Sequence, residues 1–507
     1  MNSEIKSALS LGDAIREGYL KKPRARMVIG QNESITYADA FQRMHAMACM
    51  LQRECGIGVG DGVMLCAPNT SMFVVVLAAA EMCGARVSLV SSDVSDENMQ
   101  RLLSLLNPAV VVADSESQQR LAERASSVRR VFRFDVSAPR EHSVGRATAR
   151  GDGACLEAAA RGGEAELVLM TSGSTGAPKA IVNSFSSFAR NASRLADRLA
   201  VTSDDVVYVP VPLSHVYGIM GVYTALLAMG TMVTCAKYRA ETSLDLLYST
   251  HASVYFGVHT MYARELRLQK TLATPAPSSL RCGLVAGSAC PPALFSEYER
   301  CFGCTLVQSY GMTETAATLT LSYPDAPVGI RSRFVGFPTQ GSQVTADPET
   351  GEMLCKTPSL MRSRIDEEGE HAPELDEDGW FHTGDIGAFD PEGGWRIVGR
   401  IKDVIIRGGI NIFPAEVEAA YQGHPNVSES CLVGYPDSDL GERTCLCVIP
   451  TGDDVPSSLE LRSFAAGRVE KCKIPDIILK MKEFPRLSNG KVDKRALRAR
   501  VSATVCG

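Results

Sequence analysis

The chain has 507 residues, of which 45% are apolar and 22% charged, and carries a formal net charge of −6. That length predicts two or more domains, and the composition is that of an ordinary folded chain rather than a disordered one. An acidic balance disfavours nucleic acid and anionic membrane surfaces as main partners, since both select a basic face.

The first twenty residues intersperse Glu4, Lys6, Asp13, Arg16 and Glu17 with short apolar runs, so no signal peptide is read there and a cytoplasmic location is expected. The sixteen cysteines are expected as reduced, mostly buried thiols. Cys301 and Cys304 have the spacing of half a zinc site, but no second ligand pair follows at suitable spacing.

In chain order, residues 62–66 read as a strand, and 71–83 as a helix stopped by Gly84. The apolar run 72–80 is too short for a membrane span and is expected as buried helix. Residues 86–90 read as a strand, 97–106 as a polar helix and 109–113 as another strand. Alternation at this pitch predicts βαβ units with a mostly parallel sheet. Residues 137–166, rich in Gly, Ala and Arg, read as a surface connection. A second α/β stretch is expected over 167–341, then shorter strands and a solvated acidic loop at 366–378. The residues after Arg400 read as a compact unit with a helix near 415–421 and a basic tail. The fold class expected is α/β, with a large domain over 1–399, a hinge at 400–402, and a small mobile α+β domain over 403–507.

The most informative segment is LVLMTSGSTGAPK, residues 167–179. An apolar strand enters a loop of Thr171, Ser172, Gly173, Ser174, Thr175 and Gly176, and Lys179 closes it. The glycines let backbone N–H groups approach a ligand, the hydroxyls add donors and the lysine adds charge, a combination suited to a polyphosphate. The spacing is not that of a Walker A loop.

This loop resembles the phosphate loop of the adenylate-forming superfamily of acyl-CoA synthetases, aryl-CoA ligases, luciferases and peptide-synthetase adenylation domains. Further motifs follow in that family's order, so the resemblance covers nearly the whole chain. Ser309-Tyr310-Gly311-Met312-Thr313-Glu314 resembles the adenine and magnesium motif. It implies Tyr310 on adenine, Thr313 at the α-phosphate and Glu314 holding Mg²⁺, a hard cation that wants carboxylate oxygen. Gly287-Ser288-Ala289 resembles the segment lining the other side of adenine, where the family usually has two glycines. Gly379 to Asp385 resembles the ribose motif, and one carboxylate such as Asp385 can accept from two neighbouring hydroxyls. The run from Gly399 to Glu416 resembles the interdomain motif, implying Arg400 at ribose and phosphates, Lys402 at the hinge, and Gly408 and Gly409 beside a thiol tunnel. Pro485 to Lys491 resembles the C-terminal motif with its catalytic lysine, Lys491, behind an Asn489-Gly490 turn. Two departures touch none of these residues: Ala180 stands where a further Gly is common, and 358–362 lacks the usual Gly-Tyr pair.

The resemblance implies activation of a carboxylic acid by ATP and Mg²⁺ to an acyl-AMP, then transfer to a thiol after the small domain swings. His215, Tyr217 and Gly218 fall in its substrate-side motif, with Val258 and His259 deeper. No acidic residue lies between Val206 and Lys237 to pair an α-ammonium, which disfavours amino acids. The absence of a long insertion between Glu314 and Asp385 disfavours the fatty acyl-AMP ligase branch. Coenzyme A is the expected acceptor, since no carrier domain follows the Lys491 motif and Lys471 and Lys473 could meet its phosphates. A carrier-protein phosphopantetheine is the alternative. A luciferase-like oxidative enzyme and an inactive binding protein of the same fold stand further off.

Overall fold

Short apolar runs punctuated by glycine and capping residues become the strands and helices of two large sheets. The structure is a computed structural model and describes residues 10–134, 164–172, 178–288, 290–421, 424–452, 455–486 and 492–505. It divides into two compact units, residues 1–290, 294–343 and 356–374 in one and 291–293, 344–355 and 375–507 in the other.

In the first unit, among the described residues, an eight-stranded sheet holds Gly62–Cys66, Arg86–Val90, Val110–Ala113, Arg130–Arg133 and Glu166–Ser172 in parallel. Antiparallel strands Pro178–Ser184, Ser363–Asp366 and Gly369–His371 extend it. The helix Ser71–Met82 begins at Thr70, whose side chain accepts from the Phe73 amide. It is apolar all round because both its sides are covered, and Gly84 (φ 74°) turns the chain out of it. It is thus the buried helix expected from its run of valines and alanines. Among the described residues no helix is long and apolar enough to cross a membrane.

A nine-stranded sheet in the same unit has Val206–Tyr208, Thr231–Val233, Val254–Gly257, Cys282–Val285 and Thr305–Tyr310 as its parallel centre. Helices Phe185–Arg198 and Val216–Leu227 feed one apolar cluster containing Val87 and Leu167 of the first sheet and Val207 and Val254 of the second. Two expectations are corrected here. Residues 166–184 complete the first sheet rather than opening a second, because Leu167 pairs with Val87. The acidic stretch is partly a hairpin, in which Glu370 binds Arg86 and Ser363.

The second unit carries an antiparallel sheet of Gln343–Ala346, Glu352–Lys356, Phe381–Asp390 and Gly394–Arg400. It also has a mixed sheet of Ile405–Arg407, Ile410–Ile412, Val427–Asp437, Gly441–Pro450 and Ile477–Lys480. Helices Pro414–Tyr421, Ser458–Ala465 and Lys494–Val505 accompany the latter. Residues 375–399 thus group with the C-terminal part, whereas the sequence reading assigns them to the large domain.

Candidate active site

Parallel strands leave their chain turns at the carboxyl ends, and the motif residues of the first unit fall there. Strand Glu166–Ser172 turns back into Pro178–Ser184 with Thr171 opposite Lys179, and the Thr171 hydroxyl donates to the Lys179 carbonyl at 3.3 Å. Thr171 and Lys179 therefore stand on paired antiparallel strands, at the carboxyl end of Glu166–Ser172. Gly173, Ser174, Thr175 and Gly176 themselves lie outside the described residues, as does the side chain of Ser172.

Strand Thr305–Tyr310 ends on Tyr310, and a 3₁₀ turn, Thr313–Thr315, follows. A Cβ on Gly311 would sit 1.7 Å from the Ala317 carbonyl oxygen, so the tight return of the chain admits only glycine. The Met312 amide donates to the Thr315 hydroxyl at 3.2 Å, and the Met361 amide to the Glu314 carbonyl at 2.7 Å. Ala316 and Ala317 have φ of 50° and 76°, a conformation costly for alanine unless its surroundings hold it. Two buried asparagines supply that hold. Asn183 Nδ2 donates to the Thr313 carbonyl at 3.0 Å, and Asn191 Nδ2 lies 2.7 Å from the Ala316 carbonyl and 2.8 Å from that of Thr318. Asn183 is on the strand Pro178–Ser184, so one amide joins that strand to the Thr313–Glu314 turn. Sequence reasoning missed both residues. Their only signal is an amide inside an apolar run, as in Ala180-Ile-Val-Asn183.

Strand Cys282–Val285 leads into Gly287, whose φ of 84° bends the chain past Val258. His259 opens the helix His259–Gln269, and its Nδ1 lies 2.7 Å from the Ser288 hydroxyl. Val258 and His259 therefore meet Gly287 and Ser288. Ala289 lies outside the described residues. His215 caps the helix Val216–Leu227, its Nδ1 accepting from the Tyr217 amide at 3.3 Å. Tyr217 is buried, its hydroxyl donating to the Leu284 carbonyl at 2.6 Å, and burial pushes that phenol well above its usual range. Gly218 packs against the Pro212 carbonyl, 2.1 Å from where a Cβ would stand. Its role in the fold is close approach.

In the second unit Asp385 and Arg400 are opposite each other on neighbouring strands, with Arg400 Nε 2.8 Å from Asp385 Oδ1. Asp385 is 3% exposed and its amide donates to the Thr383 hydroxyl. The Gly384 amide donates to Glu352 Oε1 at 2.7 Å, while the Glu352 carboxylate, accepting from His382 Nδ1, raises the His382 pKa. Lys402 lies in the 3₁₀ turn Ile401–Asp403. Gly408 and Gly409, with φ of 56° and 82°, form a two-residue hairpin turn between Arg407 and Ile410. Left-handed φ at both positions is what such a turn needs, so the glycine pair has a structural cause of its own. Lys491 lies outside the described residues. Its flanks are pinned by the Arg486–Val492 bridge and by the Asp493 amide donating to the Pro485 carbonyl at 2.8 Å. Lys473 is engaged by Glu416 at 2.9 Å and Glu470 at 2.8 Å.

A profile of AMP-binding enzymes matches residues 16–363, and one of the AMP-binding enzyme C-terminal domain matches 416–491. The chain is 30% identical over 348 residues to the mitochondrial medium-chain acyl-CoA ligase ACSF2 of Macaca fascicularis, a match covering 65% of this chain and 56%, under two thirds, of that protein. It is 27% identical over 487 residues to a 2-succinylbenzoate–CoA ligase of Bacillus velezensis, covering 94% of this chain and 95% of that one. Its fold matches ATP-bound MatB from Rhodopseudomonas palustris with a TM-score of 0.86 at 25% identity, over 97% of this chain and 99% of that one. With the family profile spanning well over half its length, the chain belongs to the AMP-binding enzymes.

Proposed function

We propose that this protein is an AMP-forming acid–thiol ligase that activates a carboxylic acid with ATP and passes the acyl group to coenzyme A. The observation that carries the reading is the Asn183 amide donating to the Thr313 carbonyl, which ties the strand that begins with Pro178 and Lys179 to the turn bearing Glu314.

In the first half-reaction a substrate carboxylate oxygen forms a bond to the α-phosphorus of ATP as pyrophosphate leaves. In the second, a thiolate sulfur bonds to the acyl carbon and AMP leaves. The protein's work is positioning and neutralising charge that grows in the transition state. Lys179 and the loop hydroxyls would hold the phosphates, and Thr313 the α-phosphate. Tyr310 and the Gly287–Ser288 segment would take adenine. Asp385 would accept from the ribose hydroxyls, because the two oxygens of one carboxylate can take two neighbouring O–H donors. Glu314 supplies the hard oxygen that Mg²⁺ requires, and the ion, when bound, would neutralise phosphate charge. Lys491 would bridge carboxylate and α-phosphate in the first step only. The small domain would then turn about Lys402, with the Gly408–Gly409 turn bordering the thiol's path.

His215, Val258 and His259 would border the acid, Tyr217 contributing through its ring alone and Gly218 through the bend it permits. With no carboxylate between Val206 and Lys237, a simple acid is preferred over its α-amino analogue. A carrier-protein phosphopantetheine is the second acceptor considered, since Lys473 is bound by glutamates and offers coenzyme A less than its position suggests. A cytoplasmic location belongs to the same reading, because the described cysteines carry free thiols, as a reducing compartment keeps them.

The test is acid-dependent exchange of pyrophosphate into ATP across a panel of acids. Simple acids should support it better than α-amino acids. Lys491→Ala should lower exchange by orders of magnitude while leaving thioester formation from supplied acyl-AMP. Exchange at the normal rate in that variant, or an α-amino acid as best substrate, would sink the assignment.

A further inference from the structure

A cleft of about 640 Å³ opens in the first unit, lined by Arg194, Arg198, Arg281, Cys282, Thr305 and Tyr323 among others. Cys282 and Thr305 are the first residues of two parallel strands whose far ends lead to Gly287 and Tyr310. At about 3.3 Å per residue, the strand from Thr305 to Tyr310 separates the two places by roughly 17 Å. That part of the cleft therefore lies at the amino edge of the sheet, while Leu321, the register partner of Ser309, also lines it. Its volume is that of small-molecule sites.

The three arginines differ in how they are compensated. Arg281 is neutralised by Asp205, with Nε 2.9 Å from Oδ1 and Nη2 2.8 Å from Oδ2, and it also donates to the Leu199 carbonyl. Arg198 donates to the Leu321 carbonyl at 2.9 Å and lies 4.0 Å over the Tyr323 ring, with no carboxylate partner among the described residues. Arg194 has neither a carboxylate nor a hydrogen-bond acceptor among the described residues, and its Nη1 is buried. Burial and then the like charge of Arg190 hold its pKa below the usual value, as expected of a guanidinium without a counter-charge. Asp197 and Asp325 also line the cleft but are exposed to water and pair with neither arginine. A guanidinium cannot shed its proton, and its planar fork fits the paired oxygens of a carboxylate or phosphate.

We propose that this cleft is a second ligand site that binds a small molecule through a carboxylate or phosphate held by Arg194 and Arg198. The exposed Tyr323 ring gives the rest of that molecule an apolar face. The site is independent of the acid that the enzyme activates.

The full chain, first saturated with α,β-methylene-ATP so that anions are not read at the nucleotide site, would be titrated calorimetrically with inorganic phosphate in one arm and succinate in another. Binding of the analogue, measured beforehand, tests the nucleotide reading separately. One saturable site is expected in at least one arm; tighter phosphate marks a phosphorylated ligand, tighter succinate a dicarboxylate. Arg194→Gln should weaken that binding by about tenfold or more, and Arg198→Gln likewise, with pyrophosphate exchange in the absence of added anion unchanged. Arg194→Lys, which keeps charge without the fork, should fall between. Equal affinity in wild type and both glutamine variants, or no saturable binding in the millimolar range in either arm, overturns the proposal.

Discussion

Glu265 is fully buried and accepts from the hydroxyls of Ser243 at 2.6 Å and Tyr255 at 2.7 Å, with those of Tyr238 and Tyr298 at 3.3 Å. Burial outweighs these four donors and raises its pKa from 4.5 to about 7. The folded chain therefore binds a proton more tightly than the unfolded one. The associated stability is full below 4.5, is lost as pH rises through 7, and levels off above. Calorimetric melting between pH 5 and 8 should show a falling Tm, with a shallower slope in Glu265→Gln; equal slopes would refute the assignment. Asn191 poses a different test. Removing its amide leaves the buried carbonyls of Ala316 and Thr318 short of a donor, a cost of about 1–3 kcal/mol, and frees two alanines from left-handed backbone. Asn191→Ala should lower the free energy of unfolding measured in urea by that amount and reduce pyrophosphate exchange, because Glu314 rides on the same turn. Exchange unchanged alongside lost stability would separate the turn from the chemistry.

At the scale of elements, the 3₁₀ turn after Arg400 and the start of the last helix are joined within the second unit. Lys494 Nζ lies 3.3 Å from Asp403 Oδ2 and 3.8 Å from Glu418 Oε1. Burial lowers the Lys494 pKa, but Glu418 and Asp403 outweigh it and the net shift is upward. Lys494 stands three residues beyond Lys491, and this strut anchors the start of the last helix to the 3₁₀ turn. Lys494→Ala should slow acyl-AMP formation more than thioester formation, with Lys494→Arg restoring it; equal slowing of both steps would mark a purely structural contact. Lys402 is tested by backbone chemistry, since proline fixes φ near about −65° and restricts the preceding residue. Lys402→Pro should spare adenylation and block thioester formation, and loss of both half-reactions together would place the pivot elsewhere.

For the whole molecule the proposed acceptor, coenzyme A, is tested directly. Incubation with ATP and a competent acid should yield acyl-coenzyme A rather than an acylated carrier. Rapid acylation of a phosphopantetheinylated carrier, with no acyl-coenzyme A formed, would reverse that choice. What the sequence determined by itself was local and periodic: the strands at 62–66 and 86–90, and the buried helix beginning at Ser71. These follow from apolar spacing, caps and turn residues, which act over a few residues. The tertiary structure alone decided which sheet residues 166–172 and 178–184 join, that Asn183 and Asn191 hold the Glu314 turn, that Arg400 meets Asp385, and that Arg194 meets no counter-charge among the described residues. Each of these depends on groups far apart in the chain, and their pairing is set by burial and hydrogen-bond satisfaction in three dimensions, for which a single sequence carries no period to read.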